Sequence, residues 1–246
     1  MTESRVALIT GSSSGIGASI ARRLSAEGIR VVVNSAHSEQ AGKALVAELP
    51  DAVYVQGDVS DAEDARRIVR TAVEAFGRLD VLVNNAGTTR FIPLDDLEGA
   101  DADAWRAIFD VNVIGAWQMA TAAVPHLRKS GAGSIVNVSS VSATRALGSS
   151  IPYAVSKAAL NHMTRLLASQ LGPDVRVNAV APGLIDTPWY EGAEAVWESS
   201  REWITDNTPL RRVGTGEDVA EAALYLVNAA YTTGDVLTVD GGRHVV

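Results

Sequence analysis

Four apolar residues, Val6, Ala7, Leu8 and Ile9, run straight into Thr10-Gly11-Ser12-Ser13-Ser14-Gly15-Ile16-Gly17. A short apolar run of that kind, here Arg5 to Thr10, suits a strand buried on both faces of a parallel sheet. From Gly15 to Glu27 the apolar positions Ile16, Ile20 and Leu24 recur at helical spacing, and Gly28 supplies the stop. Strand, glycine turn and helix in this order make an anion cradle. The helix N-terminus offers free N–H groups and a partial positive charge, and the glycines let a pyrophosphate approach the backbone. The spacing is Gly-x3-Gly-x-Gly, which departs from the commoner G-x-G-x-x-G. Taken alone, such a loop is weak evidence, with a flexible turn the lesser alternative.

The same alternation continues along the chain. Further strands are expected at Arg30 to Ser35, Ala52 to Gln56, Leu79 to Asn84, Ser134 to Ser139, Val175 to Ala181 and Val236 to Val239. Helices are expected at Gln40 to Leu49, Ala62 to Phe76, Asp103 to Arg128, Pro152 to Leu171 and Glu217 to Val227. Alternating β and α elements predict an α/β, Rossmann-type, doubly wound parallel sheet with helices on both faces. With 246 residues, 47% apolar, and no linker-like tract, the chain reads as one domain. In such sheets ligands gather at the carboxyl ends of the strands. The glycine loop, Asn84-Asn85-Ala86-Gly87, Ser139-Ser140 and Pro182-Gly183 all fall there, so four strand ends are expected to share one cleft.

Composition narrows the function classes. The chain has no cysteine, which excludes disulfides, a thiol nucleophile and Cys-ligated zinc. The N-terminus shows no basic-then-apolar leader, and a cytoplasmic location is expected. No apolar run approaches the roughly 20 residues that span a bilayer, so no membrane partner is expected. A net charge of −8 disfavours nucleic acid. His37, His126, His162 and His244 are scattered without ligand spacing, so no metal is expected.

One stretch, Gly183 to about Arg212, carries no strong strand or helix signal but holds Trp189, Tyr190, Trp197 and Trp203. A lid-like segment at about 184–212 that closes on substrate is one reading. The other is plain packing, because Glu191, Glu194, Glu198 and Glu202 repeat at helical spacing, as on a solvated face.

Tyr153 and Lys157 stand one helical turn apart. Reducing a carbonyl by hydride transfer leaves an alkoxide that needs a proton, and a phenol can supply it. The phenol's ordinary pKa is about 10, so service as a base at neutral pH needs a depression of roughly three units, about 4 kcal/mol. A nearby ammonium, helped by an oxidised nicotinamide, provides such a field. The Tyr-x3-Lys pair alone is commonly structural. Ser140, closing a strand thirteen positions earlier, adds a hydroxyl that can hold the substrate oxygen; Ser139 and Ser142 compete for that role, and all three can equally satisfy local backbone. Asn112 interrupts a helical run and by itself reads as a backbone partner.

Together these residues resemble the short-chain dehydrogenase/reductase family, in its branch of roughly 250 residues. The resemblance spans nearly the whole chain. It is carried by Thr10-Gly11-x3-Gly15-x-Gly17, Asp58 in Gly57-Asp58-Val59, Asn84-Asn85-Ala86-Gly87, Asn112, Ser140, Tyr153-x3-Lys157, Pro182-Gly183 with Thr187, and Asp240-Gly241-Gly242. It implies a catalytic tetrad. Tyr153 would be the acid/base, Ser140 would hold the carbonyl oxygen, Lys157 would bind the nicotinamide ribose and lower the tyrosine pKa, and Asn112 would position a relay water. The resemblance also implies that Gly11, Ser13, Ser14, Gly15, Ile16 and Gly17 form the cofactor loop. Asp58 and Val59 would flank the adenine, Asn85, Ala86 and Gly87 the ribose, and Pro182, Gly183, Ile185 and Thr187 the carboxamide. Relatives pair the helix from Pro152 across a subunit interface, so a homotetramer is expected.

Cofactor choice is read at the end of the second strand. NAD selection normally uses an acid there. Here the residues are Asn34-Ser35-Ala36-His37, with no acid before Glu39. Asn34, Ser35 and His37 are all potential phosphate donors, which favours NADP(H) over NAD(H), although Ser14 stands where many NADP-preferring relatives carry a basic residue. The substrate is expected to be a small carbonyl or alcohol. Its pocket is expected to include Thr88, Thr89, Arg90, Val141, Ser142, Leu147, Leu184, Trp189 and Tyr190; Arg90 is either a cation that holds a carboxylate or, at least as readily, a surface side chain that meets solvent. The chain is similar to the 3-oxoacyl carrier-protein reductases, and Arg128, Lys129 and Arg176 are the cations that a carrier protein would need.

Overall fold

The computed structural model describes residues 4–246. Strands β1 (Val6–Ile9), β2 (Arg30–Ser35), β3 (Ala52–Gln56), β4 (Val81–Asn84), β5 (Gly133–Val138), β6 (Val175–Pro182) and β9 (Val236–Val239) form one sheet in the order β3-β2-β1-β4-β5-β6-β9. Every pairing in it is parallel. The chain winds outward from β1 to β3, then returns to place β4 on the other side of β1. That reversal between β1 and β4 opens a crevice at the carboxyl ends of the strands.

Alternation along the strands divides the core between two faces. Ala7 and Ile9 of β1 point with Val31 and Val33 towards α1 (Gly15–Ala26) and α8 (Gly216–Asn228), whose Ile20, Leu24, Val219 and Leu226 are buried against them. Val6 and Leu8 point the other way, with Leu82 and Ile135, onto Ile68 of α3 (Ala62–Phe76) and Met119 and Leu127 of α5 (Ala116–Lys129). α2 (Glu39–Glu48) links β2 to β3, and α6 (Ile151–Leu171) links β5 to β6. Burial on both faces explains why the strands read as continuous apolar runs.

The predicted helix over Asp103 to Arg128 is a composite. α4 (Ala102–Phe109) passes into a π-helical segment, Asp110–Gly115, and then into α5. This rod, Ala102–Lys129, is the one described helix long and apolar enough by length and composition to cross a membrane, although no continuous apolar run of that length is visible in the sequence. It packs on the sheet through Met119, Ala123 and Leu127, which are buried.

The segment after β6 is ordered at both ends by a feature absent from the sequence reading. β7 (Ile185–Asp186) pairs with β8 (Gly214–Thr215), so both ends of the aromatic segment are tied together beside the main sheet. Between them α7 (Glu194–Asn207) is a helix with Glu194, Glu198 and Glu202 exposed and Ile204 buried, and its Trp203 is exposed as well.

Candidate active site

A cleft of about 880 Å³ lies along the carboxyl ends of the strands. At one end sits the glycine loop, held by side chains the sequence reading assigned to the ligand. Asn85 donates from Nδ2 to the carbonyls of Thr10 and Gly11, both at 2.9 Å, and its own N–H donates to Thr10 Oγ1 at 3.1 Å. Gly11 has φ +60°, and a Cβ there would lie 2.8 Å from Ala86 Cα. A Cβ on Gly17 would lie 2.5 Å from Asn85 Nδ2 and 2.7 Å from the Gly11 carbonyl. The departure from the commoner glycine spacing therefore has a physical cause, since these glycines let two strand-end loops meet. Gly17 is buried and does not border the cleft; Gly11, Ser13, Ser14, Gly15 and Ile16 do. Ser14 caps α1 without a side-chain hydrogen bond, and the first turn holds no acid, so the helix N-terminus keeps its N–H groups for an anion. This cradle fits a dinucleotide pyrophosphate.

At the end of β2 the structure revises the expected donors. Asn34 lines the cleft, yet its amide is fully engaged. Oδ1 accepts from the Gly11 N–H at 3.3 Å, and Nδ2 donates to the carbonyls of Val55 and Gly57 at 3.2 and 3.0 Å. Ser35 is buried against the Tyr54 hydroxyl at 2.9 Å. His37 and its neighbour Ser38 are exposed on the cleft wall. Those two, not Asn34 or Ser35, are the free polar side chains at this position. Asp58 and Val59 border the cleft, the Asp58 carboxylate accepting from the Ser60 N–H and hydroxyl at 2.8 Å each.

The central part of the cleft gathers Ser140, Tyr153, Lys157, Gly87, Pro182, Gly183, Ile185 and Thr187. Ser150 caps α6 through the Tyr153 N–H, so Tyr153 and Lys157 occupy the first turns of that helix on one face. Lys157 is buried, donates from Nζ to the Val138 carbonyl at 2.8 Å, and lies 5.7 Å from the Tyr153 ring centre. Its neighbours do not include a carboxylate that would offset desolvation, so burial lowers its pKa to about 8. Burial pushes the Tyr153 phenol above its ordinary value, partly opposed by the Ser140 hydroxyl. This is the reverse of the depression expected from Lys157. In the structure as it stands, the phenol is held as a proton donor.

The three serines separate cleanly. Ser139 is buried, with its hydroxyl directed at the Lys157 carbonyl at 3.4 Å. Ser142 donates from both its N–H and its hydroxyl to Ser140 Oγ, at 3.2 and 2.8 Å. Ser140 Oγ thus accepts twice, which leaves its own proton to be donated into the cleft. Asn112 lies in the π-helical segment, buried, and does not border the cleft. It exchanges hydrogen bonds with the Thr88 backbone at 2.8 and 3.0 Å and donates to Ser156 Oγ at 3.0 Å. It braces Thr88, the residue after Gly87, which faces Lys157.

Aromatic rings form part of the remaining wall. Tyr153 packs on Trp189 with centres 5.9 Å apart, and Tyr190 packs on Phe91 and Trp197 at 5.8 and 5.2 Å. Arg90 is not in this wall; it is exposed and lies 3.9 Å from Asp101. The guanidinium that does line the cleft is that of Arg243, from the chain's last turn, which sequence reasoning missed because nothing in the local pattern brings residue 243 back to Tyr190. Arg176 is also unavailable as a docking cation, since it caps the carbonyls of Leu226 and Val227 at 2.8 Å each. Arg128 lies 3.6 Å from Asp174.

Comparison with known proteins follows from this arrangement. A family profile described as enoyl-(acyl carrier protein) reductase matches residues 11–244. The structure overlays a short-chain dehydrogenase/reductase from Burkholderia xenovorans with a TM-score of 0.91 at 34% identity, covering 100% of both chains. The chain belongs to the short-chain dehydrogenase/reductase family. As a short-chain dehydrogenase/reductase it is an oxidoreductase, of a family whose members act on carbonyl and CH–OH groups with NAD(P). It is 60% identical over 244 residues to a Streptomyces violaceoruber protein named for a ketoacyl reductase of the granaticin polyketide synthase, covering 99% of this chain and 98% of that one. It is 40% identical to the 3-oxoacyl-[acyl-carrier-protein] reductase of Thermotoga maritima, covering 98% of each. A second short-chain dehydrogenase/reductase fold match is the ligand-free aldohexose dehydrogenase of Thermoplasma acidophilum, with a TM-score of 0.88 at 31% identity, covering 99% of this chain and 95% of that one.

Proposed function

We propose that this protein is an NADP(H)-dependent ketone reductase in which Tyr153 donates the proton. The observation that carries this reading is the meeting of Ser140, Tyr153 and Lys157 on the same cleft as the glycine loop. The nicotinamide, when bound, supplies the hydride. Gly11 to Ile16 would hold the pyrophosphate at the start of α1, Asp58 and Val59 the adenine, and Asn85 to Gly87 the ribose side; Pro182, Gly183, Ile185 and Thr187 would position the carboxamide. His37 and Ser38 would receive the 2′-phosphate, and the absence of an acid before Glu39 avoids repelling it.

Ser140 donates its remaining proton to the substrate oxygen and so fixes the carbonyl beside Tyr153. The phenol transfers its proton to that oxygen as negative charge develops there, leaving a phenolate. The Lys157 ammonium stabilises this phenolate, and a proton drawn from solvent restores the phenol for the next turnover. Asn112 keeps Thr88 and Gly87 in place beside Lys157, a positioning role, with a relay water the further task that family resemblance suggests. The segment at about 184–212 serves as a lid whose Trp189 covers the reacting end and excludes water. We place the protein in the cytoplasm as a homotetramer paired through α6.

NADPH consumption against a panel of ketones tests the reading, with Tyr153→Phe as the decisive variant. A loss in kcat on the order of a hundred- to ten-thousand-fold with cofactor binding retained is expected. Turnover left intact in that variant would remove Tyr153 from the role. Binding of NADPH with no turnover on any ketone or alcohol would identify a nucleotide sensor instead.

A further inference from the structure

Among the described residues, Arg243 is the only guanidinium or ammonium besides Lys157 that borders the cleft. Its side chain makes no hydrogen bond or ion pair among the described residues, and its Nε is buried without a partner. The guanidinium lies over the Trp203 ring, 5.2 Å from its centre. The charge of Asp240 acts on the guanidinium through space, but the Asp240 carboxylate makes its hydrogen bonds elsewhere. It accepts from the N–H groups of Gly242 and His244 at 2.9 and 2.8 Å and contacts His244 Nδ1 at 2.9 Å. Arg145 nearby adds positive charge rather than removing it, being bonded to the carbonyl oxygens of His244 and Val246. Glu191 also borders the cleft, but at the exposed rim.

Burial lowers the Arg243 pKa, as expected for a partly desolvated cation without an ion-pair partner. An unpaired guanidinium in a chain of net charge −8 offers charge-assisted hydrogen bonds to an anion. The wall that it shares with the reacting groups carries Phe91, Trp189 and Tyr190, set among aliphatic and small polar residues such as Leu184, Val196 and Ser200. Tyr153 packs on Trp189, and Tyr190, next in sequence, packs on Phe91 and Trp197 and feels the field of Arg243.

We propose that Arg243 determines substrate specificity by binding an anionic oxygen on a flat, unsaturated ketone, at the end remote from the carbonyl being reduced. Carboxylates and acidic enolates or phenolates share that chemistry. The rings stack on the conjugated part of the substrate, and the guanidinium holds its charged end. This rests on the ketone reductase reading above and assigns the charge of the substrate.

The test compares acetylbenzoates, carboxylate meta or para, with the corresponding neutral acetylbenzamides, for the wild type, Arg243→Gln and Arg243→Lys, by NADPH consumption. In the wild type kcat/KM is expected to favour at least one acid over its amide. Arg243→Gln should lower that acid-to-amide ratio by about ten- to hundredfold, mainly through KM, the range expected for charge-assisted hydrogen bonds. Arg243→Lys should retain part of the preference, since it keeps the charge and loses the planar fork. A wild type that reduces the amides without preferring either acid overturns the proposal, as does an unchanged ratio in Arg243→Gln, and in both cases the ketone reductase reading stands. A wild type that reduces no ketone of any charge overturns the reading itself. Should Arg243→Gln fail to fold, Arg243→Met carries the comparison, and an acid-to-amide ratio equal to wild type in that variant overturns the proposal.

Discussion

Replacing Asn85 by alanine should loosen the nucleotide end of the cleft without touching the reacting groups. The variant deletes the two 2.9 Å hydrogen bonds from Nδ2 to the carbonyls of Thr10 and Gly11, in a partly buried setting. At about 1 kcal/mol net for each, the cost is about 2 kcal/mol. For a chain of this length that lowers Tm by about 4–8 °C, measured at fixed protein concentration because an assembled enzyme melts in a concentration-dependent way. Nucleotide affinity should fall with stability, since the loop must then be ordered on binding. Gly17→Ala attacks the same contact from the other side, placing a Cβ 2.5 Å from Asn85 Nδ2. In the double variant that particular clash disappears, so the two losses should fall short of additivity by about 1 kcal/mol. Thermal melts and a nucleotide titration on the four proteins of the cycle decide it. A loss below about 0.5 kcal/mol for Asn85→Ala, or strict additivity, would refute a load shared between Asn85 and Gly17.

Several further outcomes are expected. Lys157 is protonated only below about pH 8, so reductive kcat/KM should decline above that pH as the phenolate loses its counter-charge; a profile flat across about pH 7–9.5 would contradict this role. The same lowered pKa means that between about 8 and the ordinary lysine value the unfolded chain binds more protons than the folded one. Stability contributed by this residue should therefore rise with pH across that window, and Lys157→Met should flatten the slope in pH-dependent urea melts. His37→Asp should move kcat/KM towards NADH by at least tenfold, about 1.4 kcal/mol, through repulsion of the 2′-phosphate; an unchanged NADPH to NADH ratio would place that phosphate elsewhere. Asn34→Ala should destabilise the fold more than it alters cofactor choice, because its amide bridges the loop, Val55 and Gly57, and calorimetry with a parallel cofactor comparison separates the two effects.

Periodic burial made most of the fold legible. The seven strands of the main sheet were visible as short apolar and β-branched stretches, buried along the inner strands and only partly buried in the edge strands β3 and β9, and their carboxyl ends located the cleft. The expected strand from Leu79 begins at Val81 instead, since Asp80 turns its carboxylate to the Val6 N–H at 2.8 Å. What failed were distinctions that depend on neighbours remote in sequence. Asn34 looked like a ligand donor, but its partners arrive from two remote segments, Gly11 from the glycine loop and Val55 and Gly57 from the end of β3. Arg90 and Arg243 traded places for a similar reason, since only the path of the final residues past α7 decides which cation enters the cleft. The two-residue strands β7 and β8 carry too little pattern to be seen without their partners. Choosing among Ser139, Ser140 and Ser142 required hydroxyl directions that residue identity does not encode.

The widened turn at Asp110–Gly115 acts as an angular adapter within a single rod. Each α-helical residue advances about 100°, so one supernumerary residue re-aims everything beyond it by roughly that amount. Ahead of the adapter, Ile108 is turned into the protein; behind it, Met119 and Leu127 are sunk into the sheet. Deleting a single residue there would restore ordinary winding and leave the two halves competing to face inwards, so the bracing of Thr88 by Asn112 and the seating of α5 stand or fall together.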